Sequence, residues 1–141
     1  MDSSNTVQAA VDDIVSFVEG NKFSPMLVLL VMKTCRHCHT TMNALTSLFA
    51  EHGRPLFKCV CIENGIRDLV IEKLRELAQK KPAQIKKQLT GLAKEIRKTD
   101  GFPKIIRHMH GQELSVQEGA MGAGELCAFA SGRSLSLCGQ A

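Results

Sequence analysis

Cys35-Arg36-His37-Cys38 sets two thiols three positions apart, directly after the apolar run Met26–Met32. A buried strand that runs into two cysteines at this spacing is how a thiol–disulfide exchange site is assembled. A helix starting at the first cysteine puts Cys35 at its N-terminus, where unpaired backbone N–H groups and the helix dipole favour a thiolate. Cys38 then lies one turn along, within reach of a disulfide. Because the thiolate attacks, Cys35 reads as the nucleophile and Cys38 as the resolving thiol. His37 is assigned to the same chemistry. Its imidazolium, together with Arg36, favours the Cys35 thiolate and makes the disulfide more oxidising. Lys33 adds positive potential, and His39 faces outward on the first helical turn.

Two other chemistries use the same residues. Zinc takes four closed ligands, and Cys59-Val60-Cys61 with His37 or His39 would complete such a set. Cys59 and Cys61 fall inside a strand pattern, however, where cysteine is ordinary core. Cys35-Arg36-His37-Cys38-His39 also has the spacing of a haem attachment motif, which requires export and a second axial ligand. The polar start Met1-Asp2-Ser3-Ser4-Asn5 lacks the basic and apolar regions of a secretory signal, so a cytoplasmic protein is expected. No cofactor and no metal are assigned.

The 141 residues suit one domain with one core, and 44% apolar with 23% charged residues is an ordinary globular balance. No apolar run approaches the roughly 18 residues of a membrane span. Net charge is only +4 but unevenly placed. From Lys80 to Lys98 there are seven cations and one acid, Glu95. A basic helix over 80–98 suits an acidic partner surface. No aromatic residue interleaves the cations to stack bases, which argues against nucleic acid.

The elements that must position the thiols follow from periodicity. Val7, Val11, Ile14, Val15 and Val18 predict a helix capped at Ser4, Asn5 or Thr6 and ended by Gly20. Met26–Met32 is apolar on both faces, as in a central covered strand. Cys38, Met42, Leu45, Leu48 and Phe49 mark the inward face of the next helix, which Gly53 and Pro55 close. Leu56–Ile62 predicts a strand parallel to the first. Two helices follow, with stripes Ile66, Leu69, Val70, Leu74, Leu77 and Ile85, Leu89, Leu92, Ala93, Ile96. Pro82 is placed in the first turn of the second. A strand at Lys104–Met109 turns at His110-Gly111 into Glu113–Gln117, and Glu125–Ala130 is a last short helix. Cys127 is assigned to the core and Cys138 to a flexible tail.

With this order the chain resembles the thioredoxin superfamily over about residues 7–130. The likeness rests on the C-x-x-C pair after a strand, on Phe102-Pro103 before a β-hairpin, and on Gly119-Ala120 before the closing helix. It implies an α/β thioredoxin-like fold, with a central mixed β-sheet flanked by helices and an expanded two-helix segment, 65–98, before the cis-proline strand. The domain would span 1–132, with a flexible tail at 133–141. The resemblance further implies an enzyme, a thiol–disulfide oxidoreductase acting on protein thiols and disulfides and served by a redox partner protein. Phe102 and Pro103, with Arg36, would hold the substrate chain. Two family residues are missing: Thr34 stands where tryptophan usually precedes the first cysteine, and Leu29 where many members bury an acid. A thioredoxin-like binding module without turnover and a zinc-binding domain are the alternative readings.

Overall fold

The computed structural model describes residues 3–20, 24–52, 57–99 and 101–131. The elements are α1 (Ser3–Gly20), β1 (Met26–Val31), α2 (Arg36–His52), β2 (Lys58–Glu63), α3 (Arg67–Ala78), α4 (Ala83–Arg97), β3 (Lys104–His108), β4 (Ser115–Glu118) and α5 (Ala123–Ser131). A single 3-10 turn, Asn64–Ile66, leads into α3. The strands form one sheet in the order β2-β1-β3-β4. β2 runs parallel to β1, while β3 and β4 run antiparallel to their neighbours.

β1 is central, and all six of its residues are buried. Its alternate residues feed two cores because successive side chains leave opposite faces of a strand. Met26, Val28 and Leu30 join the apolar stripes of α1, α3 and α4. Leu27, Leu29 and Val31 join α2 and α5. Each large aliphatic side chain fully buried in these layers contributes roughly 1.5–3 kcal/mol. The α1 stripe Val7, Val11, Ile14, Val15 and Val18 is buried throughout.

Several sequence expectations change in detail. α1 starts at Ser3, ahead of the residues assigned to cap it. In α2, Met42 is exposed at 38% and Thr41 takes the inward position. Thr41 Oγ1 accepts a hydrogen bond from Met121 N at 3.1 Å, so a polar tie to the α5 side replaces apolar packing. In α3 the buried stripe is Val70, Ile71, Leu74 and Ala78, and Leu69 is 48% exposed. Pro82 is the N-cap of α4 rather than a residue of its first turn, and its carbonyl accepts from Lys86 N at 2.9 Å. Cys61 is exposed rather than core. β2 is an edge strand, and its Val60 and Ile62 face is fully covered while its cysteine face is not. The helix stop at Gly53 and Pro55, the Cys138 position and the tail 133–141 lie outside the described residues.

Three charged or polar side chains are buried in β3, where an apolar strand was expected. Lys104 Nζ donates to the Glu95 carbonyl at 2.6 Å and to its carboxylate at 3.4 Å. Arg107 Nε donates to the Ala130 carbonyl at 2.7 Å, near the end of α5, where a cation also meets the negative end of the helix dipole. His108 packs edge-on against Phe17 of α1, with ring centroids 6.5 Å apart.

Candidate active site: two unequal thiols at a helix start

α2 begins at Arg36, so Cys35 is its N-cap residue rather than its first helical one. The Cys35 sulfur performs the cap. Cys38 N donates to Cys35 Sγ at 3.1 Å, the bond that an N-cap side chain makes to the third helical residue. Cys35 N donates to the Met32 carbonyl at 3.2 Å, and its own carbonyl accepts from His39 N at 3.2 Å. The turn between strand and helix is thereby closed on both sides of the sulfur. A backbone N–H aimed at sulfur at the positive end of a helix stabilises a thiolate there.

The two thiols differ sharply in surroundings. Cys35 is half-buried, whereas Cys38 is 1% exposed in the core with Leu29, Val31, Ile105 and Met121. Burial pushes the Cys38 pKa up to about 11, and its hydrogen bond with Cys35 adds to the rise. The backbone at Met32 opposes it. Leu29, in the same core, offers no acid to take the Cys38 proton.

The opposite wall comes from the segment ahead of β3. The Phe102–Pro103 peptide bond is cis. The Cys35 thiol points at the Phe102 carbonyl, at 3.8 Å. Pro103 is buried, and its carbonyl accepts from Gly119 N at 2.9 Å. Gly119 has φ of 98°, in the left-handed region, so glycine suits this junction between β4 and the approach to α5. The structure therefore brings Cys35, Cys38, Phe102 and Pro103 together.

Arg36 and His37 are exposed on the first turn of α2, and among the described residues neither makes a hydrogen bond to a thiol. His39 Nε2 lies 3.0 Å from the Lys33 carbonyl, tying the helix start to the preceding loop. Cys59, with burial the largest cause, is pushed up to about 12; Cys61, whose side chain is exposed at the sheet edge yet partly desolvated by its neighbours, is raised by that partial desolvation and by the Glu63 carboxylate. Among the described residues no three His, Cys, Asp or Glu side chains converge as a metal site, so the zinc grouping weighed from sequence does not form. Cys127 is half-buried and packs against the core that holds Cys38.

Sequence reasoning missed Arg67. Its Nη1 donates to the Thr99 carbonyl at 3.2 Å, and its guanidinium lies 5.9 Å from the centre of the Phe102 ring. Thr99 Oγ1 in turn donates to the Ile96 carbonyl at 2.7 Å. Arg67 so links the start of α3 to the segment that carries the Phe102 carbonyl. Only the tertiary fold joins positions 67 and 102, and no local pattern announces the pair.

No established family description matches the chain, and no match was found among curated proteins. Among solved structures, the chain is similar to a chloroplastic thioredoxin z, whose crystal structure is described as defining a novel type-specific target recognition. The two share 17% identity with a TM-score of 0.51, over 92% of this chain and 87% of the other. Together with the mixed four-stranded sheet flanked by helices, this establishes a thioredoxin-like fold. No described helix is long and apolar enough to cross a membrane.

Proposed function

We propose that this protein is a thiol–disulfide oxidoreductase acting on protein cysteines, with Cys35 as nucleophile and Cys38 as resolving thiol. The observation that carries the reading is the asymmetry of the pair. One half-buried sulfur caps a helix and faces the Phe102 carbonyl, while the other is buried with its pKa near 11. In the reducing direction the Cys35 thiolate attacks a substrate disulfide, one substrate thiolate leaves and takes a proton, and a mixed disulfide remains. Cys38 then loses its proton and attacks Cys35 Sγ. The second substrate thiol departs, and two electrons have passed from the pair to the substrate. A redox partner protein with its own dithiol restores the pair, and the oxidising direction is the reverse.

Phe102 and Pro103 line the substrate approach in this reading, with the Phe102 backbone offering strand-like pairing to an extended peptide. Arg36 and His37 supply positive potential at the entrance. The chain acts as one thioredoxin-like domain over 1–132, with 65–98 as its helical expansion. A cytoplasmic setting is part of the proposal, since a reducing compartment would keep the C-x-x-C pair available as a dithiol. The exposed cations Lys80, Lys86, Lys87, Lys94, Arg97 and Lys98 form a surface for an acidic partner. Glu95, the single acid among them, turns toward Lys104 and also lies 3.9 Å from Lys98 Nζ.

The test is reduction of insulin disulfides by the protein with a regenerating thiol. Activity that disappears in Cys35→Ser, with a trapped mixed disulfide in Cys38→Ser, is the expected result. Leu29 at the position of a buried acid favours a second reading, a binding module without turnover. Inactivity of the intact dithiol form would select that reading.

A further inference from the structure

Arg67 stands where local preference gives it no support. It is the first residue of α3, and a cation there meets the positive end of the helix dipole. The N-cap, Ile66, makes no side-chain cap bond that would relieve it. Its partners come instead from the segment ahead of β3, beyond the whole of α3 and α4 in sequence. Nη1 donates to the Thr99 carbonyl at 3.2 Å. The guanidinium carbon lies over the Phe102 ring, 5.9 Å from its centre, within reach of a cation–π contact. Among the described residues this is the ring's only cation or aromatic partner. A residue that breaks a local rule and gains only distant partners points to a role set by the tertiary structure.

The segment so held is the wall opposite the dithiol. Its ends have ties of their own. Thr99 Oγ1 donates to the Ile96 carbonyl, the Pro103 carbonyl accepts from Gly119 N, and Lys104 Nζ donates to the Glu95 carbonyl. Phe102 lies between these fixed points. Its half-buried ring packs against both cores of the sheet. Its carbonyl accepts from the Cys35 thiol at 3.8 Å. Ring and carbonyl belong to one residue, so a ring held from α3 fixes the direction of the carbonyl beside Cys35.

We propose that Arg67 is a positioning residue for protein substrates: through Thr99 and the Phe102 ring it holds the Phe102 backbone in the orientation with which an extended substrate chain pairs beside Cys35. The inference rests on the redox reading above and adds a residue to it. Among the described residues Arg67 makes no hydrogen bond to either thiol, and it takes no part in the exchange of bonds. A peptide substrate needs the preorganised backbone strip, because ordering that strip on binding would cost affinity. A small disulfide needs only the two sulfurs. Arg67 therefore favours protein substrates over small ones without changing the chemistry of the pair.

The test compares insulin with a small aromatic disulfide as substrates of the full-length protein. Arg67→Met keeps the aliphatic stem and removes the charge and every donor. It should raise KM for insulin about fivefold to tenfold, the weight of one backbone hydrogen bond, and leave kcat within about twofold. The rate constant for the small disulfide should also stay within about twofold. Phe102→Leu removes the ring and should raise the insulin KM in the same way. The double variant should add little to either, since both substitutions act on one peptide group. Arg67→Lys keeps the charge without the planar fork and should fall between wild type and Arg67→Met; it carries the comparison if Arg67→Met does not fold. An unchanged insulin KM in the folded Arg67→Met variant, or in Arg67→Lys where that variant is the one compared, overturns the proposal. So do a parallel loss on both substrates and fully additive effects of the two substitutions, which make Arg67 a general support of the fold. Wild-type protein that fails to reduce insulin overturns the redox reading itself, and this inference with it.

Discussion

The burial of Cys38 makes the resolving step measurably dependent on pH. With its pKa near 11, roughly one Cys38 in 10,000 is ionised at pH 7, about a hundredfold fewer than for a thiol at the ordinary 9.0. Intrinsic nucleophilicity rises with pKa along a Brønsted slope of about 0.4–0.5, which returns roughly sixfold to tenfold over two units. The net expectation is resolution about tenfold slower at neutral pH than by an ordinary thiol in the same place. The hydrogen bond and charge of Cys35 also raise Cys38 and vanish once Cys35 is held in a mixed disulfide. Desolvation, the largest cause, stays. The rate should therefore climb about tenfold per pH unit between pH 6 and pH 9 without levelling. Rapid mixing of the reduced protein with a chromogenic aromatic disulfide reads this directly. The first released thiol reports attack by Cys35, and the second reports resolution by Cys38. Cys38→Ser should abolish only the second phase. A second phase that plateaus below about pH 8 would show that Cys38 is not held neutral by its surroundings, and the reasoning from burial would fail.

Other perturbations probe the supports of the site. His37→Gly removes an imidazole near Cys35 and should make the disulfide harder to reduce by a few tens of millivolts, about 30 mV per 1.4 kcal/mol, read by equilibration with glutathione; an unchanged potential removes His37 from the tuning set. Arg67→Ala breaks the bond to the Thr99 carbonyl and the contact with the Phe102 ring, and should lower stability by about 1–2 kcal/mol in urea unfolding. Arg67→Lys should recover less than half of that, because an ammonium cannot both stack and donate in the same fork geometry; full recovery would reduce the role to charge. For the Lys104 and Glu95 pair, Glu95→Ala should cost more than Lys104→Met. The first leaves an ammonium that is 2% exposed with only the backbone carbonyl of residue 95 and no counter-charge, while the second leaves a carboxylate that is 26% exposed and can hydrate. The reverse order of urea midpoints would contradict that account.

The acidic-partner proposal for α4 has its own readout. Lys86, Lys94 and Lys98 changed together to Glu should slow association with the physiological redox partner and flatten its salt dependence, while reduction of a small-molecule disulfide stays nearly constant. Loss of both activities together would show that these cations support the dithiol through the fold.

Local order along the chain was decided by the sequence alone. The C-x-x-C spacing after an unbroken apolar strand placed two thiols at a helix start. The valine spacing in α1 and Pro82 between α3 and α4 followed from periodicity and backbone preference, while Phe102-Pro103 and Gly119 were singled out by the resemblance to the thioredoxin superfamily. These rules act over one to a few residues, so a linear reading captures them. What the tertiary structure decided is which side chains meet across layers. It exposed Met42 and Leu69 and turned Thr41 inward to Met121. It made β2 an edge and so left Cys61 open to solvent. It buried Lys104, Arg107 and His108 in a strand that reads as apolar, because helix carbonyls, a carboxylate and an aromatic ring from elsewhere surround them. The inequality of Cys35 and Cys38 belongs to both levels. Sequence put one sulfur at the helix start and the other a turn inside. Packing against Leu29, Ile105 and Met121 then removed water from Cys38, and desolvation depends on residues distant along the chain.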